Sequence, residues 1–345
     1  MSMWKRSVCS SFVWTSALLG AFLSPVALGA AQCPASVVGY WPLDGDGTEA
    51  VHGFPGTLVG SVGFSTGQVG QAASLGGDGS YVDSGAHAEL TDFGGESMTV
   101  AAWVLREPWP GVVGDGLGAV ITSRTFCNAG NFQLYAHLFG DELYYSKWLP
   151  ASAGGAEDMV SSSYTPFPTG VWKHVAATYA TDEVRFYVDG ILVDTVPTVY
   201  GGPINDEVQN VQIGWDSCGS FWTGLLDEVI VYDATLNDLE IADLYDRGVD
   251  GISACATPEE LIAGLVADVI ALNLHMGISN SLDAKLDSAL RALEDLNSNN
   301  DAAALNSLQA FLNEVAAQRG TKIAEADADA LIAATQAIID LINGG

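Results

Sequence analysis

The chain has 345 residues, with 42 acidic against 12 basic side chains and a formal charge of −30. A surface so acidic repels nucleic acid and anionic lipid, whose phosphates need Lys and Arg to neutralise them. With 48% hydrophobic residues the chain is also too apolar to stay disordered, and its length allows one large or two modest domains.

The first stretch reads as an export signal. Lys5 and Arg6 precede an uncharged, mostly apolar run from Val13 to Leu28, and Ala27-Leu28-Gly29-Ala30-Ala31 offers small residues to a peptidase. The run is short for a membrane span, is broken by Pro25 and has no stop-transfer pattern after it. Residues 1–31 are therefore expected to be a signal peptide, and no later stretch is apolar enough to cross a bilayer. The expected product is a secreted protein. Gln32 before Cys33 fits a lipoprotein signal poorly, and no Asn-x-Ser/Thr acceptor occurs.

Cys9 falls in the signal, leaving Cys33, Cys127, Cys218 and Cys255. An even number in an exported chain points to two disulfides, of three possible pairings. The spacings lack the C-x-x-C pairs of a zinc site.

From 32 to 250 the chain reads as strands. Thr99 to Val104, Phe132 to Leu138, Trp172 to Tyr179 and Asp227 to Tyr232 are rich in β-branched and aromatic residues. In Phe186-Tyr187-Val188-Asp189-Gly190-Ile191-Leu192-Val193 an Asp-Gly pair between two such runs marks a tight hairpin. Many short strands with Gly-rich turns indicate a sandwich or jelly roll, and no helical segments separate them as a parallel α/β fold requires.

From 257 to 345 the composition changes. All seven Trp that follow the signal lie before residue 225, and after Cys255 Phe311 is the only aromatic. Leu261, Leu265, Val269, Leu272 and Met276 share one helical face, as do Leu282, Leu286, Ala289, Leu290, Leu293 and Leu296. Leu305, Leu308, Leu312 and Val315 give a third such face, and Leu331, Thr335, Ile338 and Ile342 a fourth. Thr257-Pro258-Glu259-Glu260 is a helix start, with Thr as cap, Pro in the first turn and Glu at the third position. Short polar breaks at 277–281, 298–301 and 319–322 then make an antiparallel helical bundle. Glu325, Asp327 and Asp329 open the last helix, where the dipole favours acids.

The segment from Val38 to Gly248 resembles the laminin-G-like (LamG-like) jelly-roll family of the concanavalin A-like superfamily. The ordered pieces are Gly39-Tyr40-Trp41-Pro42-Leu43-Asp44, Gly70-Gln71-Ala72-Ala73-Ser74-Leu75 and Met98-Thr99-Val100-Ala101-Ala102-Trp103-Val104. Trp172-Lys173-His174-Val175-Ala176-Ala177-Thr178-Tyr179 and Phe186-Tyr187-Val188-Asp189-Gly190 follow. Gly224-Leu225-Leu226-Asp227-Glu228-Val229 and Glu240-Ile241-Ala242-Asp243-Leu244-Tyr245 complete the set. The segment from Leu261 to Ile342 is similar to the helical FIMAH module of secreted bacterial proteins, through the run Leu274 to Leu286 and through Phe311-Leu312-Asn313-Glu314-Val315 to Arg319-Gly320. The fold class is thus mainly β: an antiparallel jelly-roll β-sandwich followed by a small helical bundle.

The first resemblance implies that the first and last strands pair. Asp44 and Asp227 then approach each other, with Asp46 or Asp78 nearby, as oxygen donors for calcium. Asp216 is an alternative at the rim. The loop Thr48-Glu49-Ala50-Val51-His52-Gly53 departs from the family's Asp-Ser-x-Gly-Asn type, so no ligand is expected from it. The same strand pairing implies a bridge between Cys33 and Cys255, leaving Cys127 to Cys218 in two rim loops.

Chemistry beyond binding finds little footing. Gly63-Phe64-Ser65-Thr66-Gly67 spells a nucleophile elbow but precedes Gln68-Val69-Gly70, another strand turn, rather than a helix. Retaining glycan hydrolysis needs carboxylates about 5–5.5 Å apart. Concanavalin-like glucanases carry them as Glu-x-Asp-x-x-Glu, a run this sequence lacks. Asp227 and Glu228 are adjacent, which in a regular strand sends them to opposite faces. The histidines are scattered, and His174 falls in a strand as a structural residue.

Trp41, Trp103 and Trp172 occupy strand positions as core, whereas Trp109, Trp148, Trp215 and Trp222 fall in or near loops as candidate platforms for a ligand. The expected function is a non-catalytic binding or adhesion protein for extracellular glycan or protein. The rivals are a structural surface protein without a specific ligand and an accessory glycan-active enzyme.

Overall fold

The computed structural model describes residues 33, 36–91, 97–108, 116–137, 140–163, 167–180, 182–294 and 301–344. The expected signal segment 1–31, Trp109 and Leu296 lie outside them.

Fifteen strands run in chain order: β1 (Val37–Trp41), β2 (Thr57–Val59), β3 (Gly63–Thr66), β4 (Gln71–Gly76), β5 (Tyr81–Ala86), β6 (Ser97–Arg106), β7 (Leu117–Phe126) and β8 (Ala129–His137). Then come β9 (Leu143–Trp148), β10 (Glu157–Ser161), β11 (Trp172–Ala180), β12 (Glu183–Val188), β13 (Ile191–Pro197), β14 (Asn210–Ile213) and β15 (Thr223–Tyr232). All pairings are antiparallel and build two sheets. One is ordered β13-β12-β11-β6-β15-β4-β3, with β1 also on β15; the other is β10-β9-β8-β7-β14-β5-β2. The β12–β13 turn is the expected Asp189-Gly190 pair, both at positive φ (52° and 74°), as a two-residue hairpin turn of the favoured hand requires.

The alternation of each strand explains why two sheets form. Val100, Ala102 and Val104 of β6 meet Phe132 and Leu134 of β8, Tyr145 of β9, Phe186 of β12 and Leu226 of β15 in one buried layer between the sheets. Trp41 belongs to the same layer, its Nε1 donating to Ser84 Oγ at 2.6 Å. At one margin a charged pair is buried as well. Lys147 Nζ lies 3.9 Å from Asp158 and donates to the Gly201 carbonyl at 2.8 Å. Desolvation lowers the lysine pKa.

Helix α1 (Asp238–Val249) lays Ile241 and Leu244 on the outer face of the eight-stranded sheet, over Tyr40, Ala101, Tyr187 and Ile230. Asn237 caps it through a reciprocal box with Glu240. Cys33 is bridged to Cys255 just beyond this helix, with Cα atoms 4.6 Å apart.

The remaining helices are α2 (Pro258–Ala271), α3 (Met276–Glu294), α4 (Asp301–Gln318) and α5 (Glu325–Gly344). Ile262, Leu265, Leu282, Leu286, Phe311 and Leu331 form their shared core. Thr257 caps α2 as the sequence indicates, its Oγ1 accepting from Glu260 N at 3.2 Å while Glu260 returns the bond. Three assignments differ. The stretch 277–281 is no break but lies in the first turns of α3. Met276 is not the end of the α2 stripe: Asn273 turns left-handed (φ 47°), and Met276 starts α3 at 77% exposure. Asp329 is not a capping acid but grips Arg319 with both oxygens, at 2.6 and 2.7 Å. No described helix is long and apolar enough to cross a membrane.

Candidate functional site

Strand alternation makes the outer face of the seven-stranded sheet polar and aromatic. Thr122, Gln133, Ser146 and Gln212 sit on adjoining strands in register, each beside core residues that point the other way. Tyr135 and Trp148 continue this face, and Arg124 stacks its guanidinium 5.0 Å from the Trp148 ring. Most of these side chains are buried, because the loop after β14 folds back across them.

That loop is held at several points. Thr122 Oγ1 donates to the Trp215 carbonyl at 2.9 Å, and Ser217 Oγ to Gln212 Oε1 at 2.7 Å. Asp216 anchors it from below. Its Oδ1 accepts from the amides of Cys218 and Ser220 at 2.8 and 2.9 Å, and its Oδ2 accepts from Tyr135 OH at 3.1 Å and lies 3.8 Å from Arg124. Burial first, and then the Asp216 charge, raise the Tyr135 pKa. The tip turns through Ser217 and Gly219 at positive φ (64° and 110°). It is bridged there from Cys218 to Cys127 in the β7–β8 turn, with Cα atoms 5.4 Å apart.

The result is an aromatic shelf. Trp215 lies nearly parallel to Phe221 (centroids 6.0 Å apart, 3° between planes) and against Tyr81 of β5 (4.4 Å, 42°). All three rings are partly exposed. Trp215 Nε1 and the nearby sheet's Gln133 Nε2 are buried, with no hydrogen-bond partner among the described residues. Tyr81 and Asp83 are two apart on β5 and share the outer face, and burial together with the Asp83 charge raises the tyrosine pKa. The β4–β5 turn borders the shelf, since a Cβ at Gly79 would stand 3.7 Å from the Phe221 ring.

The four candidate tryptophans therefore separate. Trp215 is a shelf residue. Trp222 is not at a rim: it is fully buried between the sheets, its indole donating to the Leu225 carbonyl at 3.2 Å. Alternation past the Trp215–Phe221 bridge turns it inward. Trp148 belongs to β9, 3% exposed beneath Arg124.

The candidate calcium ligands also separate. Asp44 and Asp227 converge on the β3–β4 turn: Asp44 accepts from Gln71 N at 2.5 Å, and Asp227 Oδ2 from Gln68 N and Val69 N at 2.8 and 2.9 Å. Asp78 sits past the far end of β4, beyond Gly76, where its Oδ1 accepts from Ser80 N at 3.2 Å. A strand of that length places it roughly 15–20 Å away. Asp46 turns its carboxylate onto Thr48 N at 2.8 Å. Among the described residues no three acidic, His or Cys side chains gather as a metal site. Asp216 is occupied by the loop it anchors.

Asp227 and Glu228 do not point to opposite faces. A bulge between Asp227 and Ile230, with Glu228 at φ 49°, breaks the alternation. Both carboxyls reach the helix-covered face: Asp227 opposite Trp103, Glu228 onto Tyr40 OH (2.6 Å) and Ala254 N (2.7 Å). Burial raises Asp227 to about 8, with the Glu228 and Asp44 charges adding to it, and raises Glu228 to about 7. His174, buried beside Trp103 in a cavity of about 10 Å³, is pushed down to about 3 by desolvation and is neutral, as a structural histidine should be.

The topology, two antiparallel sheets with the first and last strands paired, is the arrangement the matching segments imply. Residues 76–242 match the Laminin_G_3 model of the concanavalin A-like lectin/glucanases superfamily. No curated protein matches the chain. Among solved structures, the sandwich is similar to domain 4 of AbnA, a GH43 extracellular arabinanase from Geobacillus stearothermophilus, in complex with arabinotriose. The identity is 18% and the TM-score 0.47, over 61% of this chain and 98% of that one. It is also similar to the binding domain of Paraclostridial Mosquitocidal Protein 1 (13%, TM-score 0.48, 61% and 52%). A third is the binding domain of botulinum neurotoxin DC in complex with rat synaptotagmin II (14%, TM-score 0.46, 62% and 52%). The match spans about half the length of the two toxin domains.

Proposed function

We propose that the concanavalin A-like sandwich is a non-catalytic glycan-binding domain of an exported protein, and that its ligand lies on the Tyr81–Trp215–Phe221 shelf. The shelf carries this reading. Partly exposed aromatic residues are costly to leave in water, and they offer apolar surface to a sugar ring. The loop that presents them is fixed covalently and by a buried carboxylate, so little ordering entropy opposes binding. Two disulfides fit an oxidising compartment. A non-catalytic role is supported by the state of the acids: Asp216 is engaged by its own loop, and Asp227 and Glu228 are buried under α1 and hold backbone amides. The test is a glycan array on the full protein with and without calcium, repeated with Trp215→Ala. Binding that survives this substitution would place the ligand elsewhere.

A second reading concerns calcium. Asp227 Oδ1 is buried without a hydrogen-bond partner, with Asp44 across the same turn. An orphaned buried carboxylate oxygen with a second carboxylate at the same turn fits a hard cation, with backbone carbonyls completing the oxygen shell. Bound there, calcium would neutralise the pair and fix the β3–β4 turn, while Asp44 and Asp227 orient it.

A further inference from the structure

We propose that the Tyr81–Trp215–Phe221 shelf, with Asp78 and Asp83 beside it, selects glycans that carry protonated amines. This rests on the reading of the shelf as a glycan site and adds the charge of the ligand.

Aromatic faces attract cations through their quadrupole, most strongly for Trp. Here each of the two segments that border the rings, β5 and the β4–β5 turn, carries an aspartate. Asp83 stands two residues from Tyr81 on the same face of β5, its Oδ1 accepting from Gly85 N at 2.9 Å. Asp78, exposed, immediately precedes Gly79, the turn residue that borders the Phe221 ring. Neither is in an ion pair among the described residues. Nor is a spare cation at hand to neutralise them: in the sandwich Arg106, Arg124, Lys147, Lys173 and Arg185 are each paired with an aspartate. The whole chain, at −30, adds a field of the same sign. An anionic sugar is repelled by this arrangement, a neutral one gains only the rings, and an ammonium-bearing one gains both rings and carboxylates. The mutually packed, rigid Tyr81, Trp215 and Phe221 rings suit a stiff pyranose ring better than a flexible basic peptide, which sets the choice between those two sources of ammonium groups.

The experiment titrates the full protein by calorimetry with four tetramers: glucosamine with its amines protonated, N-acetylglucosamine, neutral cellotetraose and tetralysine. The glucosamine tetramer should bind tightest, and its affinity should fall with added salt. The Asp78→Asn/Asp83→Asn double variant keeps shape and acceptor oxygens. It should lose about tenfold for that ligand and far less for the neutral tetramers. Trp215→Ala should lose binding of all the glycans. Equal affinity for the glucosamine and N-acetylglucosamine tetramers, or no effect of the double variant, would overturn the charge selection while leaving the glycan site standing. Binding of tetralysine but not glucosamine would overturn it in favour of a basic peptide. No binding of any glycan, there or on the array, would remove the glycan reading itself.

Discussion

Asp44 and Asp227 grip one hairpin turn from opposite sides: Asp44 holds the amide of Gln71, and Asp227 those of Gln68 and Val69. A Cβ at Gly67 would stand 2.5 Å from the Asp227 carboxylate and one at Gly70 2.2 Å from that of Asp44, so two glycines let the carboxylates come this close. The same turn reaches α1 through Gln68 Nε2, which donates to the Gly248 carbonyl at 3.0 Å.

If calcium joins this pair, it should raise the melting temperature of the protein. A ligand bound only by the folded state stabilises by about 2.7 kcal/mol at a hundredfold excess over Kd. Differential scanning fluorimetry with calcium and with chelator measures the shift, and Asp227→Ala or Asp44→Ala should abolish it. A shift retained in both variants and lost in Asp216→Ala would move the site to the rim.

Stability in chelator should fall as pH rises. Asp227, at about 8 when folded against 3.8 ordinarily, and Glu228, at about 7 against 4.5, keep protons that the unfolded chain has released. The folded state therefore binds more protons across that window. Its stability declines from about pH 4 upward and levels off above about 8. Melting temperatures at pH 5 and pH 8 test the slope, which Asp227→Asn should flatten and calcium should offset at the upper end.

Two tryptophans should behave in opposite ways. Trp222→Ala opens a void between the sheets and should cost about 3–5 kcal/mol in urea unfolding. Trp215→Ala, at the partly exposed shelf, should cost far less stability while losing ligand. Similar losses of stability for both would place Trp215 in the core.

The Cys127→Ser/Cys218→Ser variant should be destabilised by about 4.6 kcal/mol, as the chain-entropy model gives for a loop near 90 residues. It should also bind more weakly, since the shelf loop loses its tip anchor. Unchanged affinity would show that Asp216, Thr122 and Gln212 hold the shelf unaided. Peptide mapping under non-reducing conditions checks the pairing itself.

A peptide from Thr257 to Gly345 should fold alone into a helical bundle with a cooperative melt by circular dichroism. Its core of Leu282, Leu286 and Phe311 is drawn from its own helices. A random-coil spectrum would make the helices dependent on the sandwich.

The strands and helices were legible because each buries one face, and period-2 and period-3.6 patterns record which. Asp189-Gly190 and Thr257-Pro258 gave their turn and cap through local chemistry alone. The site was less legible. Trp215 and Trp222 both follow β14, yet one packs on a shelf and the other in the core, and the difference is the Trp215–Phe221 bridge that reverses the chain between them. The bulge that brings Asp227 and Glu228 to one face leaves no mark in composition, because Glu228 adopts a left-handed conformation usually reserved for Gly or Asn. Nothing in the sequence marks Tyr81 and Asp83, since their significance arises only when β5 and the loop after β14 lie side by side.

The bridge between Cys33 and Cys255 closes 222 residues of sequence with Cα atoms 4.6 Å apart. A pull on helix α2 enters the sandwich at Cys255, and the bridge ties that point to Cys33 ahead of β1. The load is then shared between β1 and the chain returning to α1, and because β1 pairs with β15 the strands are loaded together rather than peeled one at a time from an end.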